Sequence, residues 1–244
     1  MQVVYLGGKQ IGADCLQDLL EAAPRLGIDL VGIGASARTG GIDVIARQAG
    51  IAVFSASDDI PECDLLLSVQ YDRILKPHHI ARARQLAVNL HLAPLPEYRG
   101  CNQFSLAILD QREEFGVTLH VIDEGIDSGD ILFERRFPIA ADAWVADLHR
   151  RATAEGRALF KESLSRLVAG QFTREPQQRR IDAGQPSTIS YRKDIERLKQ
   201  VDLDAGREEI LRVLRATSMP GFDPPYALVD GRRIALSIAD ITAD

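Results

Sequence analysis

The chain is poor in the features that would take it outside ordinary globular chemistry. Of its 244 residues three are cysteine, two methionine and one tryptophan. Cys15, Cys63 and Cys101 lie far apart and form no C-x-x-C pair. Neither a disulfide framework nor a thiolate zinc site is therefore expected, and the thiols should be reduced and partly buried. No run approaches the ~18 consecutive apolar residues that a membrane span needs. The opening MQVVYLGG lacks the basic start and small-residue cleavage site of a signal peptide, so a cytoplasmic protein with no membrane partner is expected. An excess of positive charge is missing too: 29 Lys+Arg face 35 Asp+Glu, a formal charge of -6, and basic residues are mixed with acids as in Asp194-Ile195-Glu196-Arg197. That composition lacks the electrostatic footprint of a nucleic-acid partner.

What is present is an alternation of short β-branched runs with helical patterns, the signature of parallel strands joined by crossover helices. Residues 3–6, 30–33, 51–54, 65–69 and 86–90 read as strands. Leu16, Leu19, Leu20 and Ala23 recur at helical spacing, 42–49 is a second helix, and Pro77 fits the first turn of a helix through Arg84. Asn102 is placed to cap a helix through Leu109, 117–121 and 131–133 are further strands, and an apolar stripe from Trp144 to Leu167 marks a long helix ending near Gly170. Residues 171–185 are polar, with Pro176 and Gly184, and read as a surface linker. The remainder, 186–244, predicts a helix around 210–214 and a hairpin across Asp230-Gly231. The expected organisation is a catalytic domain over 1–170, a linker over 171–185, and a small C-terminal subdomain over 186–244. That subdomain is too small for a large core of its own and should pack on the main domain or on a second subunit, so a homodimer is expected.

Two constellations carry chemistry. Asn89-x-His91 ends a strand of an open parallel sheet, where alternation puts both side chains on one side and where ligands bind. An amide donor beside an imidazole suits the stabilisation of developing negative charge; a structural pair satisfying loop backbone is the competing reading. Asp123-Glu124-Gly125-Ile126-Asp127-Ser128-Gly129-Asp130 gathers four carboxylates around two glycines, so at least one should meet a cation or have a raised pKa. The spacing is not that of an EF-hand. Gly7-Gly8-Lys9 opens a helix after a strand, a context for phosphate, although it matches neither a P-loop nor G-x-G-x-x-G and a tight turn is the simpler account. His78 and His79 adjoin a helix start and should not both face one ion; His120 and His149 look isolated, and no metal is expected.

Arg73-Ile74-Leu75, the run from Asn89 to Gly100 (NLHLAPLPEYRG), Gly116-Val117-Thr118 and Asp123 to Gly129 (DEGIDSG) together resemble the folate-dependent formyltransferases. That family includes glycinamide ribonucleotide transformylase, methionyl-tRNA formyltransferase and sugar N-formyltransferases. The resemblance covers about residues 1–170. It implies a Rossmann-like α/β formyltransferase domain with a mostly parallel sheet, followed here by the small helix and β-hairpin appendage. It implies 10-formyltetrahydrofolate as formyl donor and a triad of Asn89, His91 and Asp127. Asn89 and a protonated His91 would stabilise the oxyanion, while Asp127 holds the imidazolium and relays or accepts the amine's proton. The pterin slot would be edged by Arg73, Ile74 and Leu75 and by Ile122, Asp123 and Ile126. Gly8, Lys9, Tyr98 and Arg99 would contact the acceptor, and Asp123 and Asp130 would also shape the loop.

The sequence departs from the family in having Leu92 after the motif His, where Pro is common, and in a tail intermediate between those of the named branches. With no basic patch, the chain looks most like the sugar N-formyltransferases, whose acceptor is a nucleotide-linked amino sugar destined for polysaccharide. The alternatives are another amine acceptor, an amino acid derivative or methionyl-tRNA among them, and a folate-binding relative without catalysis. A dinucleotide-dependent oxidoreductase is disfavoured by the glycine spacing.

Overall fold

The structure, a computed structural model, describes residues 1–237 apart from 39, 55 and 56; the end of the predicted 186–244 subdomain lies outside the described residues. Strand β1 (Gln2–Gly7) leads into helix α1 (Lys9–Leu26), which stops at Gly27 in the left-handed conformation that glycine adopts without penalty. Next come β2 (Asp29–Ala35), α2 (Ile42–Gln48), β3 (Val53–Phe54) and β4 (Cys63–Val69). Helix α3 (Pro77–Ile80) is shorter than the predicted helix through Arg84. The chain must turn at Ala81–Arg82 to enter β5 (Ala83–His91), whose first residue already pairs with Cys63.

Beyond β5 lie β6 (Tyr98–Gly100), α4 (Gln103–Leu109), β7 (Glu114–Val121), β8 (Ile131–Pro138) and the long α5 (Val145–Val168). Asn102 precedes α4 as expected but does not cap it. Its φ is 62°, and its amide Nδ2 donates instead to Ser190 Oγ and to the Tyr191 carbonyl. The stretch read as a surface linker contains α6 (Gln177–Asp182), and residue 175 makes a two-way backbone bridge with Ile131. Its polarity comes from side chains that bond the sheet and its loops. Then follow β9 (Thr188–Ser190), α7 (Ile195–Leu198), α8 (Arg207–Thr217), β10 (Tyr226–Val229) and β11 (Arg232–Ala235), the last two being the predicted hairpin. Strand β9 pairs in parallel with β6, a contact between three-residue segments that no local pattern announces.

The main sheet has the order β3-β2-β1-β4-β5-β7-β8 and is parallel from β3 to β5, with β7 antiparallel to both its neighbours. It is the expected Rossmann-like, mostly parallel arrangement. Alternation along the strands splits the core in two. Val3 and Tyr5 of β1, Leu65 and Leu67 of β4, and Val88 and Leu90 of β5 face a large cluster built with α1 and α5. Each fully buried leucine there contributes about 2 kcal/mol by leaving water. Val4, Leu6, Leu66 and Ala87 face the other way into a small cluster covered by Tyr71, Leu75 and Ile122, all from loops. Ala216 of α8 joins the large cluster, so the appendage packs on the main domain. Between α1 and α5, the nearly inaccessible Asp18 carboxylate accepts hydrogen bonds from Arg157 Nε at 2.6 Å and Lys161 Nζ at 3.1 Å. Burial pushes its pKa up, but those bonds and charges prevail and hold it below the usual range.

Candidate active site

Because Val88 and Leu90 point into the large core, Asn89 and His91 point to the thinly covered face of the sheet. The antiparallel register sets His120 opposite Asn89 and Thr118 opposite His91, so these four side chains share that face. Asp127 reaches the group from the loop between β7 and β8, with a left-handed φ of 47°.

Each group is oriented by a specific partner. Ser68 Oγ donates to Asn89 Oδ1 at 3.0 Å, turning the amide nitrogen toward His120 Nε2 at 3.2 Å. His120 Nδ1 gives its hydrogen to the Val121 carbonyl at 2.8 Å, so Nε2 is the nitrogen that accepts from Asn89 when the ring is neutral. A proton taken up at Nε2 would be shared with Asp127 Oδ1, 3.4 Å away. His91 Nε2 donates to the Tyr98 carbonyl at 2.7 Å, leaving Nδ1 to face Asp127 Oδ2 at 3.5 Å. The same carboxylate oxygen accepts the Gly100 N–H at 2.9 Å. Burial alone would push the Asp127 pKa up. The charge of His91, the hydrogen bond and charge of His120, and the Gly100 N–H outweigh it and hold the carboxyl well below the ordinary range. Asp127 is thus the member of the acidic loop that faces the two imidazoles.

His120 is the residue that the sequence reading took to be isolated. It is 3% exposed and stands between Asn89 and Asp127. The signal was available in β7: Phe115, Val117 and Leu119 face the large core, which turns His120 to the face that carries Asn89. Tyr98, expected to meet the acceptor, is also corrected. Its ring is in the core, and its hydroxyl donates to Asp110 Oδ2 at 2.8 Å while accepting from Arg112. Its contribution to the site is the carbonyl that fixes His91.

The strand-end glycines differ from expectation as well. Gly8 N–H donates to the Val69 carbonyl and Lys9 N–H to the Arg38 carbonyl, so neither is offered to a phosphate. A Cβ on Gly8 would collide with Ser36 Oγ and the Gln70 carbonyl, which is why glycine stands there. The Lys9 ammonium, bonded to Gln70 Oε1 at 2.7 Å, has its pKa lowered by burial and then by the neighbouring charges of Arg38 and Arg192. Those two arginines were absent from the sequence reading. His149 is close enough to Lys9 for burial and that charge to lower its own pKa. Arg99 has a buried Nε with no hydrogen-bond partner.

On the other side of the triad, Leu75 and Ile122 pack on the small cluster, while Ile74 is 84% and Ile126 39% exposed. Arg73 is exposed, and Asp123 Oδ1 accepts from the Gly125 N–H and from Ser128 Oγ, shaping its own loop. The strand that Leu75 leads into is strapped through α3. His78 Nε2 and His79 Nε2 both reach Asp58 Oδ1, at 3.2 and 2.7 Å, and hold its pKa down to about 2. The expectation that these two rings could not both face one ion is therefore corrected: with Asp58 they place ligand atoms within 4.8 Å of one another, close enough to address a single cation. His79 Nδ1 accepts the Lys76 N–H, so its Nε2 carries a hydrogen and acts toward Asp58 as a donor.

The formyl transferase family model matches residues 51–164, the stretch that supplies Asn89, His91, His120 and Asp127. A methionyl-tRNA formyltransferase from Citrifermentans bemidjiense is 28% identical over 193 residues, 72% of this chain and 61% of that protein, so the chain spans about three fifths of that relative's length. The N-formyltransferase of Helicobacter canadensis, solved in complex with folinic acid and dTDP-3-aminofucose, has a TM-score of 0.76 at 23% identity, over 95% of this chain and 85% of its own. A sugar N-formyltransferase from a Shewanella species has a TM-score of 0.79 at 20% identity, covering 97% of this chain and 96% of its own. The motifs, the sheet order and the match over residues 51–164 are thus in accord: the chain has the fold of these N-formyltransferases and is similar in sequence to the formyl transferase family.

Proposed function

We propose that the protein transfers the formyl group of 10-formyltetrahydrofolate to the amino group of a nucleotide-linked amino sugar. The observation that carries the reading is the convergence of Asn89, His91 and Asp127 at the end of β5, with His91 Nδ1 3.5 Å from Asp127 Oδ2. When bound, the folate supplies an electrophilic formyl carbon. Asn89 Nδ2 keeps one N–H beyond the one given to His120, and that N–H with a protonated His91 Nδ1 would donate to the formyl oxygen as it gains negative charge. Asp127 stays ionised, holds the imidazolium, and relays or accepts the proton lost by the attacking amine. The donor slot fits the thin face of the sheet: Ile74 and Ile126 offer exposed apolar surface beside Arg73, Leu75, Ile122 and the backbone at Asp123.

The acceptor would lie toward Lys9, Arg38, Arg99 and Arg192, cations suited to a diphosphate. Their role is supported by the resemblance in fold to sugar N-formyltransferases along nearly the whole chain. In this reading residues 1–170 are the catalytic unit and 186–244 shape the acceptor side. The setting is a cytoplasmic homodimer that feeds polysaccharide assembly, without need of a metal. Methionyl-tRNA is the second candidate acceptor, because the curated relatives carry that name. A formal charge of -6 favours the smaller substrate, since tRNA binding draws on basic surface.

The test is formyl transfer from 10-formyltetrahydrofolate across a panel of amino-sugar nucleotides, amino acids and charged initiator tRNA, read by product mass. Turnover with an amino-sugar nucleotide supports the reading. Turnover with tRNA alone replaces the acceptor, and failure to bind folate overturns the proposal.

A further inference from the structure

Helix α6 approaches the triad from behind with two side chains. Gln177, 5% exposed, directs Nε2 at the Asp127 carbonyl at 2.9 Å and at the Gly129 carbonyl at 2.8 Å. The two hydrogens of one amide nitrogen thus span the loop on either side of Ser128. The amide orientation is unambiguous, because the reversed group would set an oxygen against two carbonyl oxygens. Gln177 Oε1 is left buried without a hydrogen-bond partner, a cost that marks the two donated bonds as the purpose of the side chain. One turn later Arg180 donates to the Leu95 carbonyl at 3.0 Å, in the loop that runs from His91 to Tyr98, and to Glu134 and Glu175 at 2.8 and 2.7 Å. The helix is itself docked on the sheet by the reciprocal hydrogen bonds of Ile131 and Glu175.

The loop needs such a hold. Asp127 has a left-handed φ of 47°, a conformation that costs a residue with a Cβ about 1 kcal/mol or more and persists only when its surroundings over-determine it. Gly129 passes so close to the Val121 carbonyl that no side chain fits, so the loop has little room to find another path. Its carboxylate must meet His91, His120 and the Gly100 N–H from one position.

We propose that Gln177 is a positioning residue, which with Arg180 makes α6 a brace that sets the separation of His91 and Asp127. The kinetic part rests on the formyl-transfer reading above; the structural part does not. Removing the amide leaves two carbonyls without donors and lets the Asp127 loop relax toward ordinary backbone angles.

The experiment compares wild type, Gln177→Ala and Gln178→Ala in the full chain. Gln178 is exposed on the same helix and its side chain bonds Asp182, so it controls for changes to α6. Amide hydrogen exchange read by NMR follows two protons: Gly100 N–H, held by Asp127 Oδ2, and Ile131 N–H, held by Glu175. In Gln177→Ala the Gly100 amide should exchange ~10–100 times faster while Ile131 is unchanged. The kcat for formyl transfer should fall ~10–100-fold with both KM values within about twofold, as for other groups that orient a reacting residue. Unchanged Gly100 exchange refutes the brace, and so does the same effect in Gln178→Ala. Loss of protection at both amides shows a merely structural anchor and also refutes it, as does a faster Gly100 amide with an undiminished kcat. If wild type transfers no formyl group, the functional reading falls, and the two amides still decide whether Gln177 holds Asp127.

Discussion

Replacing Asp127 with Asn isolates its charge from its place in the fold. Asn tolerates the left-handed φ of 47° at least as well as Asp, and its oxygen can still accept the Gly100 N–H. What disappears is a negative charge 3.5 Å from His91 Nδ1. At the effective dielectric of ~20 that suits a partly buried pair, a unit charge at that distance interacts by about 5 kcal/mol. Part of this is present before the reaction begins and part is replaced by the amide dipole, so roughly half, about 2–3 kcal/mol, is lost from the charged transition state. That corresponds to a fall in kcat of roughly 30- to 150-fold, with the KM for folate changed by less than about threefold. Steady-state formyl transfer at saturating donor and acceptor measures it, and the thermal midpoint checks that the fold is intact. A variant that keeps more than about a third of wild-type kcat would refute the assignment of Asp127 as the partner of an imidazolium.

Asn89→Ala should lower kcat ~100–1000-fold by removing a donor aimed at the developing charge. It should cost only about 1 kcal/mol in urea unfolding, from the loss of Ser68 and His120 partners. Gly8→Ala should destabilise the protein by about 1–3 kcal/mol, because its Cβ meets Ser36 and the Gln70 carbonyl where β1 enters α1; an unchanged melting temperature would contradict that crowding. Asp18 has a depressed folded-state pKa, so its contribution to stability is complete above the unfolded value near ~4 and is lost as pH falls through the lower folded value. Asp18→Asn should accordingly flatten the loss of stability as pH falls below ~4, and denaturant titrations through that range would show it.

The sheet and its crossover helices were legible because each element announces itself within a few residues. Strands such as Leu65–Val69 are apolar runs broken only by Ser68, and α1 and α5 carry long apolar stripes. Asn89 and His91 were legible for the same reason, being two apart at the end of one strand. His120 was not, since only the pairing of β7 with β5 brings it to Asn89, and that register is a property of two segments 31 residues apart. Gln177 was hidden by its polar surroundings: a segment rich in Gln and Arg looks like linker until its side chains are seen to bond buried carbonyls. Tyr98 misled in the opposite sense, because a motif can owe its place in the site to a backbone oxygen while its ring serves the core. The short reach of α3 followed from the demand of β5 for Ala83, which outweighed the helical pattern through Arg84.

The unequal covering of the sheet has a consequence for how this architecture tolerates change. One face is sealed by α1 and α5, and the opposite face, where the triad opens, is roofed by the connections that contain Tyr71, Leu75 and Ile122. Doubling the length of a flexible connection costs only about 0.6 kcal/mol of closure entropy, whereas altering a packed helix disturbs dozens of contacts at once. Insertions and deletions in the roof are therefore cheap while those in the floor are not. Changes in the roof can thus proceed without refolding what holds Asn89, His91 and Asp127 in register.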